Sequence, residues 1–203
     1  LRRLFGSTLF ALALACALAA LTTAPRLAAA ASCESLASLA LSNTKVTLAQ
    51  SVAPGTLAPP AAATPGASDL PAFCRVAATL TPTPDSDITI EVWLPAAHWN
   101  GKFQAVGNGA WTGAIGYAAM AEALRGGYAT SSTDTGHAGN TASFALGHPE
   151  KLIDFAYRSE HEMTVRAKAI VHAFYGSAPT YSYWNGCSAG GRQALKEAEM
   201  FPA

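Results

Sequence analysis

Charged residues are scarce in this sequence, and neither sign predominates. Lysine plus arginine and aspartate plus glutamate number 13 each among 203 residues, so the formal net charge at pH 7 is zero. This balance argues against a nucleic-acid-binding surface and against an electrostatic membrane anchor. Half of the residues are apolar, which is enough for one sizeable hydrophobic core.

Long apolar runs are also few. The run at residues 9–21 follows two arginines near the N-terminus and precedes a run of alanines that includes residues 29–31. This order is typical of a secretory signal peptide, which we assign to residues 1–31 with cleavage after Ala31. Because the run is short for a membrane-spanning helix, we expect a secreted or periplasmic protein with no membrane association after cleavage.

Cysteine is scarce as well. The chain has four, and three of them, Cys33, Cys74 and Cys187, lie after the expected cleavage site. In an oxidising compartment, an odd number of cysteines requires a partner outside the chain or leaves a free thiol.

The motif with the most chemical information is Gly-Cys-Ser-Ala-Gly at residues 186–190. It stands between a strand-like segment and a helix-prone segment, which is the context of a nucleophile elbow. Small residues on both sides of the serine let the helix begin close to the strand, and N–H groups at a helix start stabilise an oxyanion. We therefore predict Ser188 as the nucleophile and the backbone N–H of Ala189 as one oxyanion donor. The alternative is a solvated serine on a glycine-lined turn.

Strand-like and helical segments alternate through the rest of the chain. Alternating apolar residues predict a half-buried strand at 87–94, and residues 52–66 are expected to be irregular. Further strands are predicted at 102–106, 128–133 and 181–184, and helices at 35–41, 116–125 and 151–175. This alternation is typical of a largely parallel sheet with helices on both faces.

A glycine-rich loop, Gly-Asn-Gly at residues 107–109, follows the strand predicted at 102–106. A second oxyanion donor comes from such a loop in enzymes that have a nucleophile elbow, and the candidates are the backbone N–H groups of Gly109 and Ala110. A plain β-turn is the alternative. Trp111, beside the loop, is the best candidate for a substrate-binding aromatic residue, and a place in the core is the alternative for it.

Asp134 and His137 stand three residues apart on a predicted turn, before Ser188 in the chain. Such a pair is more often hydrogen-bonded locally, or lines a site, than engaged in proton relay. A catalytic triad with Ser188 is the alternative.

The segment Tyr-Trp-Asn-Gly-Cys-Ser-Ala-Gly-Gly-Arg-Gln at residues 183–193 resembles the active-site signature of the tannase and feruloyl esterase family, secreted serine esterases of the α/β-hydrolase class. Other parts of the chain resemble the same family in the same order, namely Cys33 and residues 70–76, 91–95, 99–103, 107–109, 132–137 and 148–151. One departure is Ala110, where the family usually has another glycine. The resemblance implies an α/β-hydrolase fold, a mostly parallel sheet with flanking helices.

The resemblance also implies partners for the cysteines. It pairs Cys33 with Cys74, and it bonds Cys187 to a cysteine just after the catalytic histidine, a partner that this chain lacks. In this fold the acid and the histidine follow the serine, yet residues 189–203 contain neither aspartate nor histidine. We therefore expect residues 32–203 to be the N-terminal part of a catalytic domain, truncated after the elbow helix, without the lid and the C-terminal Asp and His, and inactive alone.

The implied function is hydrolysis of phenolic or aromatic acid esters, such as feruloyl or galloyl esters, through a serine acyl-enzyme. This chemistry needs no cofactor, and the resemblance implies a structural calcium ion only in the absent lid. Two alternatives stay open: hydrolysis of other small aryl or aromatic dicarboxylate monoesters, and a non-catalytic secreted α/β binding module. The expected partner is a small aromatic ester and not a nucleic acid, and the sequence leaves the oligomeric state undetermined.

Overall fold

The computed structural model of the chain describes residues 31–58, 60–63 and 65–202. The predicted signal peptide, apart from Ala31, lies outside the described residues. No helix in the described ranges is both long and apolar enough to cross a membrane.

Among the described residues, six strands form one mixed sheet in the order β1-β2-β3-β5-β4-β6. They are β1 (Thr44–Val52), β2 (Phe73–Leu80), β3 (Ile88–Pro95), β4 (Lys102–Val106), β5 (Ala129–Thr133) and β6 (Tyr181–Asn185). β4 pairs in parallel with both β5 and β6, whereas the β1–β2, β2–β3 and β3–β5 pairs are antiparallel. The expected parallel arrangement is therefore limited to the half of the sheet that carries the elbow. β2 and β3 are joined by residues 81–87 without a helix, and such a short link permits only an antiparallel pair.

In the part of the chain that the structure describes, four α-helices flank the sheet: α1 (Tyr117–Arg125), α2 (Pro149–Ile153), α3 (Ser159–Tyr175) and α4 (Ala189–Met200). A π-helical turn, Asp154–Arg158, joins α2 to α3, so the predicted long helix is present with one wider turn inside it. The short helix expected at 35–41 is a 3₁₀-helix, Glu34–Ser38. Residues 52–66 include the end of β1 and a 3₁₀ turn, Ala61–Ala63, instead of being wholly irregular.

Two apolar layers cover the two faces of the sheet. On one face, α3 buries Met163, Ala167 and Ile170 against strand residues such as Val76 and Ile90. On the other face, α1 packs Met120 and Leu124 against Phe73 and Trp93. Burial of a large apolar side chain contributes roughly 1.5–3 kcal/mol, so these layers fix the positions of both crossover helices.

A disulfide joins Cys33 to Cys74, the pairing that the resemblance implies. Both cysteines are buried, and the bond ties the segment before the 3₁₀-helix Glu34–Ser38 to β2. The two cysteines are 41 residues apart in the sequence. A loop of that length gives about 4 kcal/mol of stabilisation in the chain-entropy model.

A buried ion pair lies between β2 and β3. The Arg75 guanidinium donates to both carboxylate oxygens of Glu91, with distances of 2.9 and 2.6 Å, and Trp93 Nε1 and the Tyr117 hydroxyl donate to the same carboxylate at 2.8 Å. The expectation of a half-buried β3 is wrong, because α1 covers the face that carries Glu91 and Trp93. Glu91 can be buried because every donor around it is directed at its carboxylate.

The order of the strands determines where a site can form. The chain runs from β4 through α1 to β5 on one side, and then from β5 through α3 to β6 on the other side of β4. The carboxyl ends of the adjacent strands β4 and β6 therefore lie at a point where the winding direction reverses. Open α/β sheets bind ligands at such a point.

We predict that Glu91→Ala lowers the free energy of unfolding by about 3–5 kcal/mol, because it leaves the buried Arg75 charge without its partner. Urea denaturation followed by Trp fluorescence measures the change. Glu162→Ala is the matched control, since Glu162 pairs with Arg166 on the partly exposed side of α3 at 2.7 Å. The control should lose no more than about 1 kcal/mol, and an equal loss in both variants would contradict the assigned role of the buried pair.

Candidate active site

Ser188 lies at the sharp turn between β6 and α4. Its backbone has φ 57° and ψ −117°, and it is the N-cap residue of α4. A residue with a side chain in this region stores roughly 1–3 kcal/mol of backbone strain, and such strain clusters at functional sites. The Ser188 side chain makes no capping hydrogen bond, and the residue is exposed. The turn therefore presents a free hydroxyl at the carboxyl edge of the sheet.

Three glycines bring the two strand ends and the start of α4 together. A Cβ atom on Gly186 would lie 2.6 Å from the carbonyl carbon of Gly190, and one on Gly107 would lie 2.5 Å from the Gly190 Cα. A Cβ atom on Gly190 itself would lie 3.0 Å from the Asn108 carbonyl oxygen. Side chains at these positions would push the glycine-rich loop away from the elbow.

The predicted oxyanion donors lie on both sides of this contact. Ala189 opens α4, and Gly109 and Ala110 are exposed in the loop that follows β4. Within the described ranges, none of these three backbone N–H groups donates a hydrogen bond to another backbone group. A β-turn follows the Gly-Asn-Gly segment, because the N–H of Thr112 donates to the Gly109 carbonyl at 2.9 Å. The turn leaves the N–H groups of Gly109 and Ala110 available.

Asp134 and His137 are both engaged locally. Asp134 Oδ1 accepts from the backbone N–H groups of Thr89 and Gly136 at 2.9 and 2.8 Å, and burial raises the pKa of this carboxyl group. His137 Nε2 lies 2.8 Å from the Trp111 carbonyl oxygen, to which it donates. No histidine in the described part of the chain hydrogen-bonds to the Ser188 hydroxyl. The geometry of this turn agrees with local hydrogen bonding and not with a triad.

Trp111 is part of an aromatic cluster beside the glycine-rich loop. Its ring stacks on Phe155 at a centroid distance of 4.6 Å and remains 40% exposed, so it is not a core tryptophan. Phe144 completes the cluster, with His137 stacked on it at 3.8 Å. Arg192 of α4 binds the Phe155 and Ala156 carbonyl oxygens in the π-helical turn. The elbow helix thus holds the turn that supports the Trp111 ring.

A cavity of about 370 Å³ adjoins this cluster, lined by Asp87, Asp134, Gly136, His137, Ala138, Phe144, His148 and Lys151. Ser188 is not among its lining residues.

Cys187, the residue before Ser188, is exposed and forms no disulfide in the structure. No group of three or more His, Cys, Asp or Glu side chains among residues 31–58, 60–63 and 65–202 is arranged to hold a metal ion.

Sequence reasoning assigned no role to Asn108 or Gln193, which the structure brings together. Gln193 Oε1 accepts from the backbone N–H of Asn108 at 2.9 Å, and the two side-chain amides are 3.2 Å apart. Gln193 is 1% exposed. A signal was present in the sequence, because Gln193 is three residues after Gly190 and therefore falls on the same face of the elbow helix.

The family model described as tannase and feruloyl esterase matches residues 74–203 of the chain. Among curated proteins, an uncharacterized esterase of Xanthomonas campestris is 47% identical over 135 residues, which are 66% of this chain and 23% of that protein. A probable feruloyl esterase B-1 of Neosartorya fischeri is 42% identical over 130 residues, 64% of this chain and 25% of that protein. The chain thus spans about a quarter of the length of these relatives.

Solved structures give the same family. The crystal structure of feruloyl esterase B from Aspergillus oryzae superposes with a TM-score of 0.77 at 37% identity, covering 84% of this chain and 34% of that one. Tannin acyl hydrolase from Aspergillus niger superposes with a TM-score of 0.57 at 26% identity, covering 78% of this chain and 29% of that one. With the mixed sheet and its flanking helices, these matches confirm the predicted α/β-hydrolase fold.

We predict opposite effects for alanine at two glycines of the elbow. Gly186→Ala should lower the free energy of unfolding by about 1–3 kcal/mol, because its methyl group overlaps the Gly190 backbone. Gly191 lies inside α4, and the methyl group of Gly191→Ala would be 3.6 Å from the Gly186 carbonyl oxygen, which is an ordinary contact. This variant should therefore leave the free energy of unfolding unchanged or raise it by up to about 1 kcal/mol through helix propensity. Urea denaturation of both variants measures the difference, and equal stability would show that the close approach is not needed.

Proposed function

The chain belongs to the tannase and feruloyl esterase family, and from this premise we propose that it supplies the nucleophile-bearing part of a carboxylic ester hydrolase acting on phenolic or other aromatic acid esters. The observation that carries this proposal is the strained, exposed and uncapped Ser188 between β6 and α4. If the turn had only a structural role, glycine at this position would relieve its backbone strain. A nucleophile, in contrast, must keep its hydroxyl there despite the strain.

In the proposed reaction, Ser188 Oγ attacks the ester carbonyl carbon, and the carbonyl oxygen becomes an oxyanion. The N–H of Ala189 and that of Gly109 or Ala110 donate to this oxygen, each contributing about 3–4 kcal/mol to transition-state stabilisation. The tetrahedral intermediate expels the alcohol, which takes up the proton that the general base removed from Ser188, and leaves an acyl group on Ser188. Water then attacks the acyl-enzyme, which releases the acid and restores the hydroxyl.

The proposed mechanism needs a general base to take the Ser188 proton. His137 donates through Nε2 to the Trp111 carbonyl, while His148 and His161 lie beside Asp85 and Glu197. We propose that the base is a histidine outside the described residues, held near Ser188 by a bond between a neighbouring cysteine and Cys187.

Residues 32–203 expressed alone should then hydrolyse p-nitrophenyl esters no faster than their Ser188→Ala variant, and serine-dependent turnover by this chain would place the base within it.

The aromatic cluster supports an aromatic acid as the substrate. Trp111 follows the proposed oxyanion donors directly in the chain, and its partly exposed ring is held by Phe155. A phenolic ring stacked on it would gain about 0.5–1.5 kcal/mol beyond the area that it buries. Two relatives described above are named as a feruloyl esterase and a tannin acyl hydrolase, and we propose that this protein acts on the same class of ester.

We also propose that the protein is exported. The buried Cys33–Cys74 disulfide supports this location, because structural disulfides persist in oxidising compartments. Exported protein should begin at Ser32, which N-terminal sequencing or intact mass measures. A protein that retains its first residues in the cytoplasm would contradict the proposal.

We predict that fluorophosphonate labels Ser188 in the protein expressed from its complete gene, and that Ser188→Ala lowers kcat for methyl ferulate or methyl gallate by at least about a thousandfold. Peptide mapping by mass spectrometry locates the adduct. Ser182→Ala is the control, since Ser182 is an exposed serine of β6 outside the elbow. An adduct on another residue, or near-normal turnover by Ser188→Ala, would exclude the proposed nucleophile.

A further inference from the structure

The contact between Gln193 and Asn108 joins two elements that are 85 residues apart in the chain. Gln193 lies on α4, the helix that begins directly after Ser188, and Asn108 lies in the loop that carries Gly109 and Ala110. Gln193 Oε1 accepts from the Asn108 backbone N–H at 2.9 Å, and Gln193 Nε2 donates to Asn108 Oδ1 at 3.2 Å. A single side chain therefore binds both the backbone and the side chain of the loop.

The orientation of the Gln193 amide follows from its partner. A backbone N–H can only donate, so the atom that faces Asn108 N must be the oxygen Oε1. Nε2 then faces Asn108 Oδ1, which can only accept. Both pairs are satisfied by one orientation of the amide, and the reversed orientation would break both.

The other side of the loop is held by the Asn108 side chain. Its Nδ2 donates to the carbonyl oxygens of Ala114 and Thr133, at 2.8 and 2.9 Å. These bonds fix the loop to the end of β5 and to the segment before α1. Because the Asn108 N–H is taken by Gln193, the next free donors along the loop are the N–H groups of Gly109 and Ala110.

Gln193 also lies where the loop and the elbow are closest. A Cβ atom on Gly107 would lie 2.5 Å from the Gly190 Cα and 2.8 Å from Gln193 Oε1. The glycines set how near the two backbones can come, but these van der Waals contacts do not fix how the peptide groups of the loop are rotated. The hydrogen bonds of Gln193 add the direction, since they fix the rotation of the Asn108 peptide.

Behind Gln193 lies a buried carboxyl group on α3. Glu160 is 1% exposed, its Oε2 accepts from the Ser159 hydroxyl at 3.1 Å, and its Oε1 is 3.8 Å from Arg192 Nη2. Burial raises the pKa of Glu160 to about 7, opposed by its own backbone N–H, by the Gln193 amide and by Arg192. Within the described ranges Glu160 Oε1 accepts no hydrogen bond, so the hydrogen bond that holds Gln193 Nε2 is the one to Asn108 Oδ1.

We propose that Gln193 is a positioning residue for the oxyanion hole: by fixing the Asn108 peptide, it holds the N–H groups of Gly109 and Ala110 in register with Ser188 and Ala189. This inference rests on the proposed ester hydrolysis. Gln193 does not touch the substrate, so its removal leaves substrate binding intact and weakens only the stabilisation of the tetrahedral state.

The test is Gln193→Met in the protein expressed from its complete gene, since methionine keeps the length of the side chain and removes both hydrogen bonds. Loss of oxyanion alignment should lower kcat by about ten- to a hundredfold, with KM within a factor of about two because ground-state binding is unchanged. Active sites are counted by fluorophosphonate titration, so unfolded protein does not contribute to kcat. Lys196→Met is the matched control on the same helix, where Lys196 pairs only with Glu199 at the surface, and it should keep the kcat of the parent.

An arylboronic acid gives a second readout, because its tetrahedral adduct with serine places an oxygen at the oxyanion position. Its inhibition constant should rise in Gln193→Met by the same factor by which kcat falls, since transition-state analogues report transition-state binding. If Gln193→Met does not fold, Gln193→Glu takes its place: it keeps an acceptor for the Asn108 N–H and loses the donor to Oδ1, and the same parallel change in kcat and inhibition constant is expected.

The outcomes separate the two proposals. The positioning role would be overturned if the folded Gln193 variant kept the kcat and the boronate affinity of the parent, or if only its KM changed. The esterase proposal would still stand in that case, provided that Ser188→Ala is inactive. Near-normal turnover by Ser188→Ala would overturn the proposed function, and the positioning role with it.

Discussion

The candidate site depends on the close approach of three glycines, Gly107, Gly186 and Gly190. They allow the ends of β4 and β6 and the start of α4 to meet at backbone distance, with no room for a Cβ atom at Gly107 or Gly186. Every later feature of the site uses this contact. It places Ser188 at a strained turn, puts the first N–H groups of α4 beside the loop after β4, and brings Gln193 within hydrogen-bond distance of Asn108.

The strain at Ser188 must be offset by the structure around it. The two apolar layers hold α3, α1 and the strands in place, and the Gln193–Asn108 contact connects the elbow to the loop. The antiparallel half of the sheet contributes stability through the buried Glu91 ion pair and the Cys33–Cys74 disulfide. One half of the chain thus provides a rigid support, and the other half, β4, β5 and β6, provides the edge that carries the candidate site, where the proposed mechanism would tolerate only small displacements.

The parts of the fold that could be predicted from sequence are those whose cause is local. β4 and the elbow strand follow from short strand-like segments that end in glycine motifs, and the structure has them at Lys102–Val106 and Tyr181–Asn185. β1 was not predicted, because Thr44–Val52 is an edge strand with mainly exposed and intermediate residues, whose alternation is short and breaks near the register shift between Val46 and Leu48. The burial of Glu91 and the pairing of Gln193 with Asn108 depend on partners far away in the sequence. The roles of Ser188, Ala189, Gly109 and Ala110 remain predictions, to which the structure adds a geometry.

The central claim is that Ser188 and the glycine-rich loop form one oxyanion-stabilising unit, and a crystal structure of the aryl phosphonate adduct tests it most directly. We expect a covalent bond between phosphorus and Ser188 Oγ, with one phosphonyl oxygen about 2.7–3.1 Å from the Ala189 nitrogen and from the nitrogen of Gly109 or Ala110. A phosphonyl oxygen directed into solvent, with the loop N–H groups turned away from it, would contradict the account.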